Sequence, residues 1–289
     1  MFNKQMTVKS ADEIELLREN AIIVSKTLAE VAKYIKPGVS TLTLDKIAED
    51  FIRAEGAIPG FKGYRGFPGT LCVSTNEEVV HGIPGNRVLR NGDIVSIDCG
   101  CQRDGFYGDS AYTFPVGEVS GEVLNLLKRT KESLYLAIDV AVAGRRVGDI
   151  SAVVQEYVEG FGYSVVRELV GHGIGRQLHE KPDIPNYGRR GSGVKMPVGL
   201  TICIEPMINM GAKTVVQDSD GWTIRTADRM PPLGHPLKLA DFIARRTSRN
   251  LYLKSLPGVP SFFYLRWFPK LAQTSINKRP PKKLSGGRF

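Results

Sequence analysis

The sequence predicts helices and antiparallel strands arranged in two related halves, and three observations carry that reading. A hairpin lies between residues 92 and 114, helical periodicities flank it on both sides, and the order of elements recurs at an offset of 106 to 107 residues. The hairpin is the clearest of the three. Ile94 to Asp98 is apolar and β-prone, and Phe106 to Phe114 is rich in aromatic residues. Between them stands Asp104-Gly105, a two-residue loop suited to a type I′ turn, where both central residues need positive φ. With that turn, Arg103 faces Phe106, Asp98 faces Ala111, and Asp109 shares a face with Asp98. The two carboxylates become diagonal neighbours, roughly 7–8 Å apart at the backbone.

Unpaired, such carboxylates repel each other. An isolated aspartate usually ends in solvent, but Asp98 closes an apolar run, where a solvated carboxylate is disfavoured. A dication between the two removes the conflict and keeps both ionised. Metal binding is therefore expected ahead of a solvated pair.

Before the hairpin, Ser10-Ala-Asp-Glu13 has the pattern of a capping box. Ile14, Leu17, Ala21, Val24, Leu28, Val31 and Ile35 follow at helical spacing, and Pro37-Gly38 ends the run. A second helix runs through Leu44, Ile47, Ala48 and Phe51 to Gly56. From Ala57 to Pro84, glycines, prolines and aromatics interleave, ending in Val79-Val80-His81-Gly82-Ile83-Pro84. A lone histidine such as His81 is more often structural, unless the fold brings it to the carboxylates.

After the hairpin, a helix is expected from about Gly121 to Val142. Gly144, Ile150, Val153, Tyr157 and Gly162 then repeat Gly38, Leu44, Ile47, Phe51 and Gly56 at an offset of 106. Gly199-Leu-Thr-Ile-Cys-Ile-Glu205 repeats Gly92-Asp-Ile-Val-Ser-Ile-Asp98 at an offset of 107. An internal duplication is the economical reading, and it makes Glu205 the counterpart of Asp98. Coincidence between amphipathic helices and apolar strands is the competing reading, which the matched acid weakens. Val165 to Val170 reads as a strand leading into Gly171-His-Gly-Ile-Gly-Arg-Gln-Leu-His-Glu-Lys-Pro182. Glycines beside His172 allow a close backbone approach, and the spacing is not that of a phosphate-binding loop. Asp98, Asp109, His172 and Glu205 form a carboxylate-rich set with one imidazole, suited to Mn, Fe, Co or Zn. Carboxylates able to bridge suggest two ions activating water for hydrolysis, with His81 and His179 left as proton shuttles or electrophiles.

Composition bounds the rest. The chain has 289 residues, enough for a sizeable core. No apolar run approaches the roughly 18 residues of a membrane span, and Met1 to Asp12 lacks the apolar core of a signal peptide, so a cytoplasmic location is expected. Cys72, Cys99, Cys101 and Cys203 have no Cys-x-x-Cys spacing and read as buried thiols in a reducing compartment. The net charge of +9 is unevenly placed. Residues 231–289 hold twelve Lys or Arg and one acid, a net of +11. Residues 1–230 hold 27 basic and 29 acidic residues, a net of −2, which does not mark the body as a nucleic-acid binder.

Residues 6 to 231 resemble the type I methionine aminopeptidases of the bacterial kind. The resemblance is carried by Asn76-Glu-Glu-Val-Val-His-Gly-Ile-Pro84, the pairs Ile97-Asp98 and Gly108-Asp109, and Gly171-His-Gly-Ile-Gly-Arg176. His179-Glu-Lys-Pro182, Ile204-Glu-Pro-Met207 and Asp220-Gly-Trp-Thr223 complete it. It implies an α+β pita-bread fold, with two pseudo-symmetric halves and a mostly antiparallel curved sheet covered by helices. It also implies a cytoplasmic, monomeric enzyme that removes the initiator methionine from nascent polypeptides near the ribosome, with neither membrane nor specific nucleic-acid binding. By resemblance, Asp98, Asp109, His172 and Glu205 hold two divalent ions, with Asp109 bridging. Activated water would attack the carbonyl after the methionine, with Glu205 as proton acceptor. His179 would stabilise the oxyanion, and His81 would lie near the new amine. Both histidines contact substrate, and the methionine pocket maps onto Tyr64, Phe67, Cys72, Leu178 and Trp222, an apolar lining suited to a thioether.

One departure stands out. The family continues past Asp228-Arg-Met-Pro231 into a strand whose glutamate bridges both ions. Here Pro231-Pro-Leu-Gly-His-Pro236 opens a basic, aromatic tail without glutamate. The expected division is thus a catalytic domain over residues 1–230, lacking its last strands, and a poorly ordered tail over 231–289. A reading-frame change accounts for the abrupt switch better than gradual divergence. The competing reading is a real extension that binds ribosomal RNA or a membrane surface. The departure implies a weakened second metal site, lower stability and impaired turnover. Two rival functions remain at this stage: an inactive binding protein of the same fold, and a peptidase of that fold with another specificity.

Overall fold

The Ser10 hydroxyl accepts from Glu13 N at 3.2 Å, and the Glu13 carboxylate accepts from Ser10 N at 3.0 Å. This reciprocal cap satisfies two otherwise unpaired amides and starts α1 (Ala11–Ala32). Ser40 caps α2 (Thr41–Ala54) in one direction only, its hydroxyl accepting from Thr43 N at 3.2 Å. The short strands β1 (Ile58–Pro59), β2 (Leu71–Thr75) and β3 (Glu78–Val80) follow, then the long hairpin of β4 (Ile94–Arg103) and β5 (Phe106–Pro115). The second half opens with α3 (Gly121–Val140) and α4 (Val147–Glu159). It continues through β6 (Ser164–Val165), β7 (Gly171–Gly173), β8 (Glu180–Ile184), β9 (Cys203–Ile204) and β10 (Ile208–Asn209). β12 (Ile224–Thr226) pairs with both β11 (Val215–Gln217) and β3, and β13 (Asp241–Phe242) pairs with β9. The computed structural model describes residues 6–228 and the strand 241–242.

Every strand pair among the described residues is antiparallel. The hairpin has the expected register, with Arg103 opposite Phe106 and Asp98 opposite Ala111. Asp104 and Gly105 have φ of 53° and 77°, the positive values a type I′ turn requires. α1 lies directly on this hairpin. A Cβ at Gly108 would fall 2.7 Å from the Asn20 carbonyl carbon, so only glycine permits the approach.

The two halves carry separate cores in matching order. Val24, Leu28, Leu44, Ile52, Val95 and Ile97 fill the first, and Leu126, Leu134, Ile150, Val154, Ile202 and Ile204 fill the second. Each such side chain contributes about 1.5–3 kcal/mol on burial. Together they lock β4, β5 and β9, the strands that carry the acids.

Two expectations need correction in detail. The strand expected over Val165 to Val170 pairs only at Ser164–Val165, with β10. Its continuation bends away at Arg167-Glu168, where the Arg167 guanidinium lies over the Tyr187 ring at 5.1 Å. His172 therefore belongs to a separate strand, β7. The helix expected to reach Val142 ends at Val140. The expectation of a poorly ordered tail over residues 231–289 lies outside the described residues, apart from β13, whose backbone places Asp241 opposite Ile204 and Phe242 opposite Cys203. No helix among the described residues is long and apolar enough to cross a membrane.

Candidate metal centre

The acids converge because three strand systems meet. β4 presents Asp98, β5 presents Asp109, β7 presents His172, and Glu205 directly follows β9, all four side chains being buried. Glycines make the meeting possible. A Cβ at Gly171 would sit 2.3 Å from Cys203 O, and one at Gly173 would sit 2.5 Å from Lys181 O. The backbone around His172 is thus pressed against both neighbouring strands, as the flanking glycines suggested. Asn186 Nδ2 donates to Glu205 O at 2.6 Å and fixes the turn after β9.

His172 defines the chemistry. Its Nδ1 lies 2.8 Å from Gly173 O, which can only accept, so Nδ1 carries the hydrogen. Nε2 then turns its lone pair inward, 3.1 Å from Glu205 Oε1 and 3.5 Å from Asp109 Oδ2, without hydrogen-bond geometry to either. A lone pair facing two carboxylates is repulsive unless a cation or a proton stands between them. Burial opposes charging of the ring, but Asp109 and Glu205 outweigh it and push the His172 pKa up to about 10. The same field that captures a proton would hold a dication, so the donor set fits a metal.

Asp109, His172, Cys203 and Glu205 each offer a ligand atom, all within 4.8 Å of one another. Asp98 shares the face of Asp109 on the hairpin but stands outside that mutual distance. Cys203 is the addition that sequence reasoning missed as a site residue. The available signal was strand alternation, which puts a residue two places before Glu205 on the same face.

Beside the cluster lies a group of apolar side chains. Phe67, Cys72 and Leu178 are buried in one group with Phe61, Ile174 and Cys203, and Tyr64 and Trp222 pack against it. All five expected pocket residues come together. Phe61, Ile83, Tyr107 and Ile174 join them without having been expected. Phe67 meets Trp222 edge to face at 5.1 Å, and Asp220 fixes the tryptophan loop by accepting from Trp222 N and Thr223 N at 2.8 Å each.

The other two histidines among the described residues, His81 and His179, lie against this group. His179 lies 4.2 Å from His172 between ring centroids, and its Nδ1 is 2.9 Å from the Tyr64 hydroxyl. If that hydroxyl donates, His179 keeps its proton on Nε2. His81 adopts φ 60°, uncommon for a non-glycine residue, and stands edge-on to Trp222 at 6.5 Å. Gly82 holds it there, since a Cβ at that position would meet Val73 O at 2.3 Å. By contrast, burial raises Cys99 well above the ordinary thiol range and Cys101 to about 12, so both are inert core thiols.

An α+β scaffold of two related halves, with buried carboxylates around an imidazole beside a group of apolar side chains, fits a metal-dependent hydrolase. The chain matches metallopeptidase family M24 over residues 15–230 and belongs to that family. It is 52% identical over 222 residues to the methionine aminopeptidase of Clostridium acetobutylicum, covering 76% of this chain and 89% of that one. Identity to the methionine aminopeptidase of Escherichia coli K12 is 42% over 228 residues, covering 78% and 86%. The solved methionine aminopeptidase from Thermotoga maritima superposes with a TM-score of 0.80 at 41% identity, over 83% of this chain and 95% of that one. The prolidase from Pyrococcus furiosus, at 21% identity and a TM-score of 0.64, shares the fold alone. The fold is the expected pita-bread architecture, and membership of a metallopeptidase family implies a divalent metal.

Proposed function

We propose that this chain is a methionine aminopeptidase that removes the N-terminal methionine from nascent polypeptides. The carrying observation is the inward Nε2 of His172, set against Asp109 and Glu205 beside a group of apolar side chains. Asp98, Asp109, His172 and Glu205 would hold divalent cobalt, manganese, iron or zinc. Bound there, the metal would supply Lewis acidity for the scissile carbonyl and for the attacking water.

The chain's own groups divide the remaining work. Glu205 takes the proton from the attacking water and passes it to the leaving amine. His179 donates from Nε2 to the developing oxyanion, with Tyr64 holding its other ring nitrogen. His81 lies near the amine as it departs. The thioether side chain enters the space lined by Tyr64, Phe67, Cys72, Leu178 and Trp222, whose walls exclude water from the reacting bond.

Two ions need more carboxylate than residues 6–228 supply. One keeps Asp109, His172 and Glu205, and the other keeps only Asp98 and Asp109. The second site is accordingly weak and turnover is reduced. The enzyme acts as a cytoplasmic monomer on chains emerging from the ribosome, and residues 231–289 carry a net charge of +11.

The test is hydrolysis of Met-Ala-Ser by the purified full chain after loading with cobalt or manganese, with and without chelator. Metal-dependent release of methionine, lost in Glu205→Gln, is expected. Metal-independent release, or none from a chain shown to carry metal, refutes the reading.

A further inference from the structure

The proposed function uses two carboxylates and one imidazole of the tightest cluster and leaves one member aside. Cys203 sits on β9, two residues before Glu205, so strand alternation turns both toward the same side. Its Sγ lies within 4.8 Å of the ligand atoms of Asp109, His172 and Glu205. Donor atoms around a tetrahedral ion with bonds of about 2.0–2.3 Å stand about 3.3–3.8 Å apart. The four groups therefore close on one ion with small side-chain movements.

A second observation points to the same spot. His172 is only 5% exposed, and its Nε2 is aimed into this cluster without a hydrogen-bond partner. The buried donor set that its lone pair faces includes the sulfur. Asp98 lies outside the mutual distance that Cys203 satisfies.

We propose that Cys203 is a thiolate ligand of the metal held by Asp109, His172 and Glu205. The inference rests on the metal-dependent function proposed above. On binding, the sulfur lone pair goes to the ion and the S–H proton passes to solvent, so no oxidant or reductant is needed. A soft donor among hard oxygens shifts the preference toward zinc or cobalt and away from manganese. This chain would then favour a thiophilic ion at its primary site.

The test is cobalt titration of the chelator-treated full chain, followed by absorption. The native chain should develop visible ligand-field bands together with a near-ultraviolet sulfur-to-cobalt charge-transfer band. Cys203→Ser should keep the former, supplied by Asp109, His172 and Glu205, and lose the latter. Cys72→Ser, which removes the other thiol of the same apolar group, should keep both. Zinc affinity of Cys203→Ser should fall at least tenfold, about the least that loss of a metal-supporting group produces. Extended X-ray absorption on the zinc-loaded native chain needs no variant. One sulfur at about 2.3 Å beside nitrogen and oxygen at about 2.0–2.2 Å is expected.

Ligand-field bands without the charge-transfer band, a charge-transfer band that survives Cys203→Ser, or a purely nitrogen-oxygen shell around zinc would overturn the sulfur ligand while leaving the metal-dependent function standing. No cobalt or zinc uptake at all would overturn both.

Discussion

Gly171→Ala tests whether close packing of strands, rather than backbone conformation, positions His172. The φ of Gly171 is not among the positive values, so alanine meets no backbone strain there. Space is the obstacle. The new Cβ would lie 2.3 Å from Cys203 O and 3.4 Å from Ile184 Cβ, which blocks retreat toward β8. Real Cβ contacts essentially never fall below 3.0 Å, so β7 and β9 must separate by at least 0.7 Å. That movement widens the 3.1 Å approach of His172 Nε2 to Glu205 Oε1 across the same two strands. A misplacement of about 1 Å in a reacting constellation costs about 100-fold in rate. Overpacking of this kind costs about 1–3 kcal/mol, and each kcal/mol lowers Tm by about 2–4 °C in a domain of this size. Calorimetric Tm and metal affinity should both fall in the variant, and methionine release from Met-Ala-Ser by about two orders of magnitude. Gly121→Ala is the control: at the first position of α3 its Cβ meets nothing within 4 Å, and Tm should hold or rise. A Gly171→Ala chain with native Tm and native metal affinity would refute the reasoning, because the strands would then have room that their close contact denies.

Protonation of His172 gives a second prediction. Its folded pKa of about 10 exceeds the ordinary 6.5, so the metal-free chain holds this stability in full below pH 6.5 and loses it as pH rises through about 10. Tm of the metal-free chain should fall across that window and flatten in His172→Asn, and calorimetry near neutral pH in buffers of different ionisation enthalpy should show about two protons released per ion bound, one from His172 and one from the Cys203 thiol. Lys9→Met should cost about 3–5 kcal/mol in urea unfolding, because it strands the buried Glu180 carboxylate that braces Gln177 N at 3.2 Å in the loop leading to His179. Adding Glu180→Gln should recover part of that loss, and an unchanged midpoint in Lys9→Met would contradict the bracing role.

Much of the fold was legible because its signals are local. Ser10 and Glu13 announce a helix start within four residues, and the hairpin register follows from the requirement for positive φ at Asp104-Gly105. The repeat at offsets of 106 to 107 was legible for a different reason. Two halves that bury equivalent faces must keep equivalent apolar positions, and Ile150 and Ile204 occupy in the second core the places of Leu44 and Ile97 in the first. The strand ends were less legible. Val165 to Val170 is apolar at both ends, yet Arg167-Glu168 turns out of the ladder, and pairing stops where the charged side chains find solvent and an aromatic face.

The site divides along the same line. Asp98 and Asp109 could be paired from the turn alone, and Glu205 from the repeat, because each inference needs only register. His172, His81 and His179 needed the motifs, since nothing in strand or helix period says which loops fold over which sheet. Cys203 is the instructive miss. Composition treats a buried thiol as core, and among the four cysteines that reading holds for Cys99 and Cys101, whose thiols burial pushes far from ionisation. Period two, however, had already put Cys203 on the side of Glu205, and the duplication had made Glu205 the partner of a metal-facing aspartate. The two inferences combined place a sulfur at the edge of a carboxylate cluster. What the sequence could not supply was the distance, which depends on how far β7 is pressed into β9, and that is decided by the missing side chain of Gly171.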